Sequence, residues 1–252
     1  MRPRFYTLPP SREIYHPWLF VTYRKRRELL KRRFEHAIMD SNVGYFFYHR
    51  ELEDYPPNFL DEYVHQAKLY TELLGGRIWV VIPDYPADYI KNGVQTPSAK
   101  DNVERTLRNI KRLIDVDGVE WLPVIQSRLR DTFSFAEACQ RTAEIIGEDY
   151  PRVAIGTVCK SRRLKWITYC IKFARRHFPK SHIHAFGLTL TALPHVKDYI
   201  DSWDSMAWTF PRTPWLSSCH TKLEAEEYFR AYLRKIEQKL KASSMPSHAF
   251  RV

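Results

Sequence analysis

The stretch IDSWDSMAWTF, residues 200–210, sets two acids, Asp201 and Asp204, ahead of a short apolar run. Read as the last of a series, it predicts a strand at 206–209 with a carboxylate at the mouth of the fold. Asp204 is then the candidate nucleophile. The plainer reading has Asp201 turning the chain and Asp204 opening a strand edge. Working back toward the N-terminus, apolar or β-branched runs predict seven further strands at 4–8, 18–23, 37–42, 78–82, 119–125, 153–155 and 183–186. The run at 78–82 is apolar throughout, as in a strand covered on both faces.

Helical spacing fills the intervals. The basic segment 24–34, RKRRELLKRRF, sets Leu29, Leu30 and Phe34 against seven Lys or Arg, either a solvated face or a phosphate-contacting one. An aromatic loop follows at 44–48. Pro56-Pro57 then opens a helix carrying Phe59, Leu60, Tyr63, Tyr70, Leu73 and Leu74, which Gly75-Gly76 stops. A long loop at 86–98 precedes a helix marked by Val103, Leu107, Ile110 and Ile114. Further helices are predicted at 135–146, 164–178, 193–199 and 222–240, the last with an apolar stripe of Leu223, Tyr232, Leu233, Ile236 and Leu240. Parallel strands need crossover helices, so this alternation predicts one (β/α)8 barrel domain over 1–252 with a C-terminal helix. An open doubly wound sheet is the alternative, and the lack of a Gly-rich phosphate fingerprint after any strand weighs against it.

Composition narrows the function. The chain has 252 residues, a net charge of +11 and 14% aromatic residues, which suits a polyanionic partner whose bases can stack. No apolar run approaches the ~20 residues of a bilayer span, and the start MRPRFYTLPP lacks a signal-peptide core, so a soluble, cytoplasmic protein is expected. Cys139, Cys159, Cys170 and Cys219 are scattered, and the adjacent Cys219-His220 has no partner motif. Reduced structural thiols and no metal are expected.

The carboxyl ends of the predicted strands carry Asp40, Asp84, Gln126, Gly156, Gly187 and Asp204. Each acid alone is more often a cap or turn residue, but three acids and an amide on one rim are costly without a ligand. Such a mouth suits a heterocycle: carboxylates and Gln pair with its edge, Gly lets it approach, and an aromatic covers its face.

The segments MDSNVGY (39–45), VVIPDYP (80–86), LPVIQS (122–127), VAIGTVCK (153–160), HAFGL (184–188) and DSMAW (204–208) resemble, in order, motifs of the tRNA-guanine transglycosylase superfamily. They are most similar to its DNA-acting branch, which exchanges guanine in DNA for a 7-deazaguanine such as 7-cyano-7-deazaguanine. FYTLPP and HPWL, at 5–10 and 16–19, resemble the start of that branch. The resemblance implies that Asp204 attacks the anomeric carbon to form a covalent glycosyl-enzyme, with Asp40 as general acid and base. It implies that Asp84 and Gln126 read the base edge, that the backbone at Gly156 contacts exocyclic groups, and that Tyr45 and the segment holding His184, Phe186 and Gly187 wall the pocket. One residue more than usual separates Asp40 from the aromatic, which brings Phe46 in as an alternative to Tyr45. No Cys-rich zinc site follows Asp204, unlike the tRNA enzymes. The expected partners are therefore DNA, single-stranded or with its base extruded, and a free 7-deazaguanine, with tRNA less favoured, no membrane and no cofactor. Arg162, Arg163, Arg212 and the cluster at 24–33 are the candidate phosphate contacts. A nucleoside base-exchange enzyme and a non-catalytic nucleic-acid-binding barrel are the alternatives.

Overall fold

The computed structural model describes residues 2–87, 90–91, 94–95, 99–159, 161–209 and 222–241. The strands are β1 (Arg4–Tyr6), β2 (Trp18–Thr22), β3 (His36–Asp40), β4 (Ile78–Val81), β5 (Ile90–Lys91), β6 (Val94–Gln95), β7 (Trp121–Leu122), β8 (Val124–Ile125), β9 (Arg152–Ile155), β10 (His182–Ala185) and β11 (Ser202–Asp204). The α-helices are α1 (Phe59–Leu73), α2 (Ala99–Leu113), α3 (Thr132–Ile146), α4 (Leu164–His177), α5 (Leu193–Val196) and α6 (Lys222–Lys241). The fold is α/β: the strands form parallel sheets ordered β1-β11-β10-β9-β8 and β2-β3-β4-β7, beside the antiparallel pair β5-β6.

Two places connect the parallel sheets. Just past β1, Thr7 bridges Leu19 of β2 in the parallel sense, with Thr7 N–H donating to Trp18 O at 3.2 Å and Phe20 N–H to Thr7 O at 3.1 Å. At the other place the chain itself passes over. Pro123 separates β7, which pairs with β4, from β8, which pairs with β9. Proline donates no ladder hydrogen bond, so the expected continuous strand at 119–125 is split in two there.

The core follows the strand period of two. Ala37, Met39, Ile78, Val80 and Trp121 pack with α1 and α2, while Ile125, Val153, Ile155, Ile183, Ala185 and Trp203 pack with α3, α4 and α6. The alternate residues Tyr6, Ile38, Val81, Leu122, Val124, Ala154 and Phe186, drawn from both sheets, form a third cluster with Trp18, Phe20 and Trp79. Continuing that alternation past each strand end puts Asp40 after Ile38, Gln126 after Val124, Gly156 after Ala154 and Asp204 after Ser202, all on the face turned away from the helices.

Helix α4 illustrates the outer packing. Trp166, Ile167, Cys170, Ile171 and Ala174 make a buried stripe, and Arg175 at its end binds the Asp201 carboxylate at 2.5 Å. Ile183 N–H also donates to that carboxylate at 2.9 Å. Asp201 is thus a structural clamp between α4 and the strands, and of the two acids in the opening motif only Asp204 is left for chemistry.

Several local expectations are corrected. The final strand is β11, before the expected 206–209, and Ala207–Thr209 forms a 3-10 turn. The basic segment is 3-10 rather than α-helical over Tyr23–Lys31, so Leu29 is buried while Leu30 is exposed. The aromatic loop coils into a π-helical turn, Gly44–His49. The expected helix at 193–199 is the single turn α5. The strand expected at 37–42 stops at Asp40 because Asn42 has φ +72°, a left-handed conformation that Asn tolerates better than most residues. Among the described residues, no helix is long and apolar enough to cross a membrane.

Candidate active site

Asp40 is the last residue of β3, and its orientation is set locally. The backbone N–H of Asn42 donates to Asp40 Oδ2 at 2.9 Å, a turn in which the acid closes on its own chain two residues on. Tyr63 of α1 donates its hydroxyl to Val81 O at 2.8 Å and holds the ends of β3 and β4 together. Asp84 follows β4 beyond Pro83. Its loop is held by Asn109 of α2, which donates to Pro83 O at 2.7 Å, and by the Thr106 hydroxyl, which accepts from Tyr85 N–H at 2.9 Å. Tyr55 links both loops: its hydroxyl donates to Asp84 O at 2.7 Å and lies 3.3 Å from Ser41 Oγ.

Gln126 Nε2 donates to Asp84 Oδ2 at 2.6 Å. This bond fixes the amide orientation, since the flipped form would set oxygen against carboxylate. Among the described residues Gln126 Oε1 is then left without a hydrogen-bond partner, although the residue is only 6% exposed. Among the same residues Asn42 Nδ2 is likewise buried and unpartnered. Buried polar atoms of this kind are what a polar ligand can satisfy. Gly156 makes room for this: a Cβ there would stand 2.4 Å from Gln126 Nε2 and 2.8 Å from Val124 Cγ1.

Asp204 ends β11, in register with Tyr6 of β1. Its Oδ1 accepts from Gly187 N–H at 3.0 Å and lies 3.3 Å from His184 Nε2. Gly187 holds φ +57°, and a side chain there would also run into Cys159 Sγ at 2.7 Å. Asp204 Oδ2 takes no hydrogen bond among the described residues.

The other two acids act on Asp40. Burial first, then the charges of Asp84 and Asp204, raise the Asp40 pKa from the ordinary 3.8 to about 7, against the pull of the Asn42 N–H. Burial raises Asp84 to about 6, opposed by the Gln126 hydrogen bond. The two titrate as a pair: one proton leaves first, and the second leaves against the charge so created. A carboxyl poised near neutrality can both give and take a proton at physiological pH.

The same shifts bear on stability. Both groups hold protons more tightly folded than unfolded, so folding becomes less favourable as pH rises from the ordinary carboxylate value toward the folded one. The penalty is nearly absent at about pH 4 and complete above about pH 7. Asp40→Asn is expected to raise the melting temperature by several degrees at about pH 8, ~1–3 kcal/mol, and to change it little at about pH 4. Calorimetry at the two pH values checks this, and a stabilisation of equal size at both would contradict it.

The other expected site residues are placed as follows. Phe186 lies at the end of the same inner face, edge-on to Phe20 at 6.0 Å. His184, expected as a wall for a base, is 0% exposed: Phe20 stacks over it at 6.4 Å, and Tyr6 and Phe186 meet it edge-on. It has no open face to offer, and its ring nitrogens are engaged instead. Tyr45 lies on the rim under the guanidinium of Arg24, 3.9 Å from the ring centroid, and its hydroxyl accepts from Arg50 at 3.3 Å. Phe46 packs against Tyr55 and Phe59, at 5.4 and 4.9 Å. Arg162 and Arg163 are exposed between β9 and α4. Arg212, Cys219 and His220 lie outside the described residues. Within the basic cluster, Arg32 binds Glu28 and Ser11 O while Arg26 binds Gln66 and Tyr23 O. Those two are structural, while Arg24, Arg27 and Arg33 are exposed.

Sequence reasoning missed the contributions of Asn42, Tyr55 and the His184 ring nitrogens. The alternation His182-Ile183-His184 was the available signal, since it puts both imidazoles on one strand face. Among the described residues no group of three His, Cys, Asp or Glu is arranged to hold a metal ion. No protein-family model matches the chain, and no curated protein sequence matches it.

Proposed function

We propose that the chain is a base-exchange transglycosylase that replaces guanine in DNA with a 7-deazaguanine such as 7-cyano-7-deazaguanine, in the carboxyl-end recess of a (β/α)8 barrel. Support for the barrel comes from the Thr7–Leu19 bridge, the passage at Pro123 and the inner cluster shared by both sheets. The observation that carries the reaction is the placement of Asp40 and Asp204 at the carboxyl ends of β3 and β11, with Asp84 just past β4 and bonded to Gln126, whose Oε1 is unmet among the described residues. The ordered motifs resembling the transglycosylases supply the reaction class.

In this reading Asp204 Oδ2 bonds to the anomeric carbon as the bond to guanine breaks, and protonated Asp40 gives its proton to the departing base. The incoming base then returns a proton to Asp40, its nitrogen takes the anomeric carbon, and the Asp204 ester bond breaks. The sugar stays attached to the enzyme between bases, so the backbone is never cut. Asp84 and Gln126 Oε1 accept N–H groups along the base edge, and Phe186 contributes an aromatic wall. Arg24, Arg50, Arg162 and Arg163, exposed near the carboxyl ends of the strands, are assigned to phosphates, consistent with a charge of +11.

Incubation with DNA and free 7-cyano-7-deazaguanine, followed by nucleoside mass spectrometry, is expected to yield the modified deoxynucleoside. Parallel reactions with tRNA and free deoxyguanosine are expected to yield none. Incorporation into tRNA alone would transfer the reading to that partner, and no incorporation anywhere would refute it. Gly156→Ala, which drives a methyl group into Gln126, is expected to raise KM for the incoming base ~10-fold or more, measurable by titrating that base.

A further inference from the structure

Behind Asp204 a line of hydrogen-bonding groups runs along the inner face toward the opposite strand ends. His184 Nδ1 is 2.8 Å from Ser202 Oγ, and Ser202 Oγ is 2.8 Å from His182 Nε2. His184 and Ser202 are fully buried, and the His184 ring is closed in by Phe20, Tyr6 and Phe186. His182 is partly exposed and lies edge-on to Trp79 at 4.6 Å.

The donor directions along this line are determined by chemistry. Asp204, as a carboxylate, only accepts, so His184 Nε2 must carry a hydrogen. A neutral His184 then has a bare Nδ1, which accepts the one hydroxyl hydrogen of Ser202. Ser202 Oγ, having spent its hydrogen, accepts from His182 Nε2–H. Burial lowers the His182 pKa to about 3, opposed by Asp201 and assisted by His184, Arg4 and His36, so it is neutral with a single N–H to place. His36, lowered to about 4 by burial and by Arg4 and Arg152, adds no charge at neutral pH. With one ring hydrogen on each histidine, every group thus has one consistent orientation.

We infer that His184 is a positioning residue for Asp204, locked in its Nε2–H tautomer by the Ser202–His182 pair, so that Oδ1 is occupied and Oδ2 faces the substrate. Two donors, His184 Nε2 and Gly187 N–H, converge on Oδ1. They fix the carboxylate plane and spread its charge toward the fold, while Oδ2 keeps its lone pairs for bond formation. A hydrogen bond to a charged reacting group is typically worth roughly 10–100-fold in rate. The catalytic consequence rests on the transglycosylase reading, whereas the tautomer does not.

The test therefore has two arms. Long-range proton–nitrogen NMR on nitrogen-15-labelled full-length protein, with His184 assigned from His184→Gln, reads the tautomer directly. Wild type is expected to give the Nε2–H form alone, and Ser202→Ala a mixture. His182→Phe is expected to resemble Ser202→Ala, while His182→Gln, whose amide can still donate to Ser202, is expected to restore the wild-type form. In the exchange assay, Ser202→Ala and His182→Phe are expected to lower kcat ~10-fold with KM unchanged, and His182→Gln to recover it. A wild-type Nδ1–H tautomer, or one indifferent to Ser202→Ala, overturns the inference. So does wild-type exchange activity whose kcat ignores both Ser202→Ala and His182→Phe. If the wild-type chain exchanges no base at all, the functional reading falls, and the tautomer arm alone decides the relay.

Discussion

Asp204→Ala is expected to lower exchange of labelled guanine in DNA by at least ~10³-fold while leaving DNA affinity within a few-fold. The asymmetry follows from where the group lies. Asp204 is 8% exposed at the end of β11, remote in role from the arginines assigned to phosphates. Its Oδ1 is held by Gly187 and His184, so Oδ2 is the oxygen that can reach a sugar. No neighbour can replace it: Asp40 is largely protonated below neutrality, and Asp84 is bound to Gln126. Removing the carboxylate takes one negative charge away from Asp40 but leaves Gly187 N–H and His184 Nε2 without their acceptor, so the melting temperature of the variant is measured alongside. Single-turnover exchange and filter binding on the same preparation separate the two effects. Unchanged exchange would remove Asp204 from the chemistry, and a joint loss of exchange and affinity would point to a binding role.

Asp40→Asn is expected to lower exchange ~10²–10⁴-fold, the usual worth of a positioned general acid or base. Asn matches the carboxyl in shape and keeps an acceptor for the Asn42 N–H, but it can neither deliver nor collect a proton. The wild-type reaction needs protonated Asp40 when guanine leaves and ionised Asp40 when the new base enters. With the pKa raised to about 7, the first step weakens above that pH and the second below it, so the multiple-turnover rate should peak close to neutrality. In Asp40→Asn that peak should flatten. A variant that is slower but retains the same pH profile would assign the titration to another group. The same substitution should stabilise the fold at alkaline pH, so lost activity cannot be ascribed to unfolding.

How far the sequence led can be judged from particular residues. Short apolar runs such as Ile78–Val81 were legible as buried strands because both faces are covered. Asp40, Gln126 and Gly156 were legible as strand-end residues because alternation carries the inner face one step past Ile38, Val124 and Ala154, and Asp84 because Pro83 ends the apolar run before it. Strand β11 was misplaced for the same reason that it matters. Its inward residues, Ser202 and Asp204, are polar, so hydrophobicity pointed instead to the following 206–209, where Ala207–Thr209 turns. Functional positions commonly break the local rule in this way. The basic segment was misread because Leu29, Leu30 and Phe34 suit an α-helical stripe, whereas the tighter 3-10 turn buries Leu29 and exposes Leu30, and Phe34 is buried beyond its end. The role of His184 was out of reach, since it depends on which ring nitrogen meets Ser202, 18 residues and one strand away in the fold.

The most direct measurement is a denaturing gel and peptide map of the wild-type protein quenched in acid during turnover on labelled DNA. A covalent protein–DNA species, with the sugar attached to the peptide containing Asp204 and absent from Asp204→Ala, is the result expected. Active exchange with no such species, or with the sugar attached to Asp40 or Asp84, would contradict the account.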